Sequence, residues 1–199
     1  MGVRPGRLRF LKPALQRWCH LIKDPEWSVG DGPWWYNERA SLSILAGALW
    51  ATGSWAFEEF ATQKGKGRRS GLGRGDLLFD VHPHYFMAEA KQCWPALGRD
   101  PRSAVDRVAR NLDAARRDAR RLLPFYGYRR MAIVFISPRL SSSAQEEGDV
   151  RIDRFMRAML QIDGLSLAWA FPTRRPYPTS ETGYAYPGAV VAISPLRHR

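Results

Sequence analysis

GRGDLLFDVHPHYFMAEAKQCW, residues 73–94, is the stretch whose reading decides the fold. It holds two apolar, strand-like runs, Asp76 to Asp80 and Phe86 to Gln92, joined by a His-Pro-His bend. Three ionisable residues, Asp76, Glu89 and Lys91, interrupt segments that otherwise read as buried sheet. Side chains alternate along a strand, so Glu89 and Lys91 share a face, about 7 Å apart, with Met87 beside them. Ala88, Ala90 and Gln92 take the other face. A simple loop over residues 81–84 pairs Asp80 with Tyr85 and Phe79 with Phe86, which brings Asp76 opposite Glu89. Directly opposed residues have Cβ atoms about 4.5–5.5 Å apart, and two carboxylates that close repel unless a proton or cation stands between them. Converging carboxylates make a site for a hard cation, Mg²⁺ or Mn²⁺, to which the Ala90 carbonyl adds a third oxygen. Lys91 can orient or deprotonate a water, or hold a phosphate. A metal that polarises a phosphodiester and activates water is a hydrolytic arrangement. The competing reading is a solvated surface salt bridge on a half-exposed hairpin.

The flanking sequence supplies a frame for this hairpin. Asn37 to Gly53 reads as a helix with Asn37 as N-cap, Gly53 as stop and Leu42, Leu45 and Leu49 on one stripe. Glu38 lies on the same stripe, so its carboxylate sits at the helix start and points along the buried face. Trp55 to Thr62 alternates as a strand. TQKGKGRRSGLGRG follows, a basic, glycine-rich loop carrying Lys64, Lys66, Arg68, Arg69 and Arg74. It lacks Walker spacing and leads into a strand, so it is not a phosphate loop; it is either a solvated basic loop or, beside an active site, a clamp on a phosphate backbone. Asp100-Pro101 opens a long helix with Val105, Val108, Leu112, Ala115, Ala119 and Leu122 inward and an arginine-rich outer face partly offset by Asp106, Asp113 and Asp118. MAIVFI, residues 131–136, is a buried strand; residues 149–160 read as a helix, 165–171 and 189–194 as strands. The resulting order, helix, three strands, helix, strand, helix, strand (αβββαβαβ), predicts an α/β domain with a mixed central sheet flanked by helices. Residues 1–35, basic and broken by prolines, are expected to form an N-terminal arm, with the domain over 36–199. The arm's tryptophans, Trp18, Trp27, Trp34 and Trp35, serve to pack it down or to stack bases, with packing favoured.

Composition narrows the partner. The chain has 199 residues and a formal charge of +12, and lysine stands only at 12, 23, 64, 66 and 91 among 31 basic residues. Arginine's planar fork suits phosphate, and a chain this basic is expected to bind a polyanion, nucleic acid by default. Cys19 and Cys93 make neither a disulfide framework nor a zinc site. No signal peptide or membrane span is read, which leads to a cytoplasmic expectation. His82 and His84 lack a third ligand and are read as solvated turn residues.

NERA on the first helix, GRGDLLF on one strand and MAEAKQ on the next resemble the PD-(D/E)xK nuclease superfamily, the restriction-endonuclease-like fold. The resemblance spans residues 37–171. It implies that Asp76 and Glu89 bind Mg²⁺, that Lys91 assists the attacking water, and that Glu38 helps hold metal or water. Glu58 and Glu59 are the alternatives to Glu38. Gln92 would contact phosphate or substrate, and Gly75 stands where the family name has proline. The expected function is a Mg²⁺-dependent endonuclease on DNA, in restriction, phage defence, mobile-element processing or recombination, acting alone, as a homodimer or with a partner protein. The alternatives are cleavage of RNA, and a non-catalytic binding protein on the same fold.

Overall fold

A computed structural model describes residues 1–24, 32–65, 71–123, 125, 127–172, 177, 179 and 183–196. Seven strands form one mixed sheet: β1 (Gly2–Arg4), β2 (Ala56–Lys64), β3 (Gly71–Val81), β4 (His84–Cys93), β5 (Tyr128–Ile136), β7 (Ser166–Ala170) and β9 (Ala189–Pro195). Their spatial order is β1-β7-β9-β5-β4-β3-β2. Two short strands, β6 (Leu140–Ser141) and β8 (Tyr184–Ala185), pair apart from it. Four helices flank the sheet: α1 (Lys12–Ile22), α2 (Glu38–Trp50), α3 (Arg102–Arg121) and α4 (Gly148–Leu160). Among the strands of the described residues, β4 and β5 are the pair that runs parallel, because α3 carries the chain across between them.

Alternation along β4 and β5 divides the core in two. Phe86, Ala88, Ala90, Met131, Ile133 and Phe135 pack toward α1 and α2. Cys93, Ala132, Val134 and Ile136 pack under α3 and α4. Glu89 pairs with Ala132 and Lys91 with Val134, so both belong to the α3 face. The hairpin register is the predicted one for Phe79 opposite Phe86 and Asp80 opposite Tyr85, but the ladder runs on to Val81 and His84, leaving only His82 and Pro83 in the turn, and it stops at Leu77–Ala88, so the expected Asp76–Glu89 pair does not form.

The helix expectations hold with small shifts. Asn37 caps α2, its Oδ1 accepting from the Ala40 N–H at 3.0 Å, and Leu42, Leu45 and Leu49 are buried. In α3 the buried stripe is Ala104, Val108, Leu112, Ala115 and Ala119. The segment expected to be a separate arm is part of the core. β1 is the edge strand beside β7, and Leu11, Leu15, Trp18, Ile22 and Trp34 are buried. Burying each such aliphatic side chain is worth about 1.5–3 kcal/mol, and the amphipathic period of α1 places Leu15, Trp18 and Ile22 on one face. Trp18 and Trp34 therefore pack; Trp27 lies outside the described residues.

Candidate active site at the opening of the sheet

At Asp76 the sheet comes apart. The last β3–β4 pair is Leu77 with Ala88, and the β2–β3 ladder skips from Glu58–Leu77 to Phe60–Gly75. Glu59, in the gap, has φ +53°, a left-handed conformation that a non-glycine residue adopts at a cost. Beyond this point β3 follows β2 alone. The end of β2 then crosses to the end of α3, where the Gly65 N–H donates to the Arg121 carbonyl at 3.0 Å and the Leu123 N–H to the Gln63 carbonyl at 2.9 Å. Gly75 permits the separation: a Cβ there would lie 2.3 Å from the Phe60 ring. A proline ring at this position would meet the same obstacle.

Where β3 leaves, the edge of β4 keeps peptide groups that need partners. Carboxylates supply them. Asp76 Oδ2 accepts from the Ala90 N–H at 2.7 Å. Glu38 Oε2, from the first residue of α2, accepts from the Gln92 N–H at 3.1 Å. Strand geometry turns the Ala90 carbonyl toward the same edge as its N–H. Asp76 and Glu38 thus both stand where β3 would have continued.

Glu89 projects beside this opening with its side chain 4% exposed, and Lys64 Nζ lies 2.7 Å from its Oε1. Burial raises its pKa, the hydrogen bond from Lys64 opposes this, and the Asp76 charge adds to the rise, leaving it at about 7. Glu38 is also raised, first by burial, against the pull of Lys91 and with a push from Asp76. Burial pushes Lys91 down, but the hydrogen bond from its Nζ to Asp118 at 3.0 Å and the charges of Glu38, Asp118 and Asp76 outweigh it. Lys91 is therefore above the ordinary lysine value and charged at neutral pH.

The four residues expected to form the site, Glu38, Asp76, Glu89 and Lys91, are brought together. Glu58 is not among them: it accepts from Ser43 Oγ at 2.9 Å. Glu59 pairs with Arg39 and Arg74 instead. Three expected phosphate ligands, Gln92, Lys64 and Arg74, are placed differently. The Gln92 amide is buried and donates from Nε2 to the Trp34 carbonyl at 3.0 Å and to Ser137 Oγ at 2.7 Å. Together with the Trp94 Nε1 bond to the Trp35 carbonyl at 3.0 Å, this ties the turn before α2 to the end of β4. Gln92 thus sets the position of Glu38. Lys64 is engaged with Glu89, and Arg74 with Glu59. Lys66, Arg68 and Arg69 lie outside the described residues. The sequence reading missed the two partners Lys64 and Asp118. Asp118 had a signal in its position between Ala115 and Ala119 of the buried stripe; Lys64 had none, because its reach depends on how β2 curls.

Among the described residues no three His, Cys, Asp or Glu side chains form a ready cluster of metal ligands. The oxygens gathered here are the Asp76 and Glu89 carboxylates and the Ala90 carbonyl, with Glu38 one step along β4. They are hard donors, and the set fits Mg²⁺ or Mn²⁺. A desolvated carboxylate near a second carboxylate draws the Lys64 ammonium onto itself. Comparison of the chain with models of protein families, with curated proteins and with solved structures finds no match.

Proposed function

We propose that this protein is a metal-dependent nuclease of the PD-(D/E)xK class, with a restriction-endonuclease-like core, hydrolysing phosphodiester bonds of DNA. The observation that carries it is the opening of the sheet at Asp76, where carboxylates of Asp76 and Glu38 replace the missing strand next to Glu89 and Lys91. A structural salt bridge needs no such break in two ladders.

Asp76, Glu89 and the Ala90 carbonyl would hold Mg²⁺, which when bound supplies a Lewis acid for the phosphoryl oxygens and lowers the pKa of a water. Glu38 fixes and polarises the water side of the site. Lys91, charged and steadied by Asp118, donates to the scissile phosphate or orients the water; its raised pKa disfavours the role of base. Lys64 neutralises Glu89 in the resting chain and becomes available to phosphate once Glu89 turns to a metal. Exposed arginines on α3 supply attraction for the polyanion.

The Lys64–Glu89 and Lys91–Asp118 pairs favour one other reading, a chain on the same fold that binds nucleic acid without cutting it. Supercoiled, linear and single-stranded DNA and RNA, each incubated with Mg²⁺ or with EDTA, separate the two. Cleavage of DNA only in Mg²⁺ is expected; tight binding without cleavage in either condition would establish the non-catalytic reading, and cleavage of RNA alone would move the substrate.

A further inference from the structure

Six aromatic rings form an unbroken row along the hairpin end of the sheet. Trp50 meets Phe57 at 6.1 Å between centroids, Phe57 meets Trp55 at 5.3 Å, and Trp55 meets Tyr85 at 6.3 Å. Tyr85 meets Tyr128 at 5.4 Å, and Tyr128 meets Phe125 at 5.5 Å. Sheet register makes the centre of the row: the Asp80 N–H donates to the Trp55 carbonyl, and Asp80 lies opposite Tyr85, which lies opposite Tyr128. The rings are not core. Trp50 is 54% exposed, Phe57 53%, Phe125 45% and Tyr85 38%. A row of four large exposed aromatics is the kind of surface that water does not favour leaving bare.

We propose that this row is a binding surface for single-stranded nucleic acid, whose bases stack on the rings while its phosphates meet the neighbouring arginines. The occupant follows from three features. The first is the chemistry of the row itself, flat π-faces rather than branched aliphatics, which accept any base. The second is charge. Arg120 and Arg121 are exposed at the end of α3, and Arg130 lies on the Tyr128 face with its Nη1 on the Arg120 carbonyl at 3.1 Å. Among the described residues no salt bridge occupies Arg120, Arg121 or Arg130. Asp80, the carboxylate between Trp55 and Tyr85, is already held by the Trp55 N–H at 2.9 Å. The third is continuity with the candidate site. Phe125 shares a shallow pocket with Gln63, and the next residue, Lys64, is the one on Glu89. Tyr85 and Glu89 also lie on the same face of β4, with Met87 between them, so the row and the opening of the sheet share one side. The proposal rests on the nuclease reading only for the class of polymer bound.

The test is fluorescence anisotropy of a labelled oligothymidylate, in EDTA, with wild type and the variants Phe57→Leu, Tyr85→Leu and Tyr85→Phe. Leucine keeps apolar bulk and removes the π-face; phenylalanine keeps the π-face. Each leucine variant is expected to weaken binding about 5- to 150-fold, the range that loss of one base–aromatic stack gives, at unchanged melting temperature. Tyr85→Phe should bind as wild type, and the oligonucleotide should quench tryptophan fluorescence. Binding by both leucine variants at wild-type strength overturns the proposal. So does a wild-type dimer in sedimentation that Phe57→Ser splits, since the row would then be covered by a second copy. Cleavage of duplex DNA in Mg²⁺ is scored on the same preparations: cleavage with ring-independent binding refutes this proposal alone, and ring-dependent binding without cleavage supports it while refuting the nuclease reading alone.

Discussion

With its side chain 4% exposed and its pKa pushed up to about 7 by burial, Glu89 keeps its proton to a higher pH than an ordinary glutamate. The folded chain then binds more protons than the unfolded one between the ordinary glutamate value of 4.5 and about 7. Stability must fall as pH rises through that window and stay at the lower level above it. Glu89→Gln removes the penalty. The variant is expected to exceed the wild type at pH 8 in denaturant melts by on the order of 2 kcal/mol, and to match it near pH 4.5; a variant weaker at both would mean that Glu89 is held by stabilising bonds. If Glu89 holds a metal as proposed, Lys64 competes with it for the same carboxylate. Lys64→Ala at pH 8.5, where proton competition is small, should therefore bind Mn²⁺ more tightly by calorimetry, while weaker binding would make Lys64 a support of the site and not its rival. Asp76→Asn keeps an oxygen for the Ala90 N–H and loses a repulsive charge. Without metal its melting temperature should equal or exceed the wild type's. Metal at 100 times its dissociation constant should add about 2.7 kcal/mol to the wild type and much less to the variant; strong destabilisation of the metal-free variant would make Asp76 purely structural. At this scale the sequence was readable where strand alternation rules, as for Glu89 and Lys91 on one face of β4; for Asp76 it was not, because the ladder breaks before the expected pair with Glu89 and the carboxylate takes the Ala90 N–H instead. It was silent on Gln92, because a motif position says nothing of a tryptophan carbonyl brought in from a distant turn.

Two elements decide how the site is reached. The β2–β3 extension curls over the α3 face and ends against Arg121 and Leu123, and α3 turns Arg110, Arg117, Arg120 and Arg121 to solvent. If those arginines meet phosphates, Arg117→Ala and Arg121→Ala should each lower the log–log salt slope of duplex binding by about 0.9 for every phosphate left unneutralised. Slopes equal to the wild type's would leave α3 an ordinary solvated face. The helices and their inward stripes were legible because apolar spacing over several turns is redundant. The curl of β2 was not, since it depends on Phe60 lying over Gly75 and on long-range bonds to the end of α3.

Across the whole molecule, the predicted order αβββαβαβ appears as α2–β2–β3–β4–α3–β5–α4–β7, with β9 returning between β5 and β7. β1 extends that plan at its far edge, with α1, whose apolar period over residues 8–22 reads as a helix, packed beside it; the three-residue strand itself leaves no periodic trace. None of the helices is long and apolar enough, among the described residues, to cross a membrane. The central claim is that the opened sheet edge holds a metal for phosphodiester hydrolysis. Its most direct measurement is the rate of DNA cleavage in Mg²⁺ by wild type, Glu89→Gln and Lys91→Ala, purified side by side, with EDTA as blank and DNA binding scored on the same samples. The expected result is cleavage by the wild type alone, reduced by at least 100-fold, about 2.7 kcal/mol of barrier, in both variants, with DNA binding retained. Equal cutting by all three, or none by any with binding intact, would contradict it.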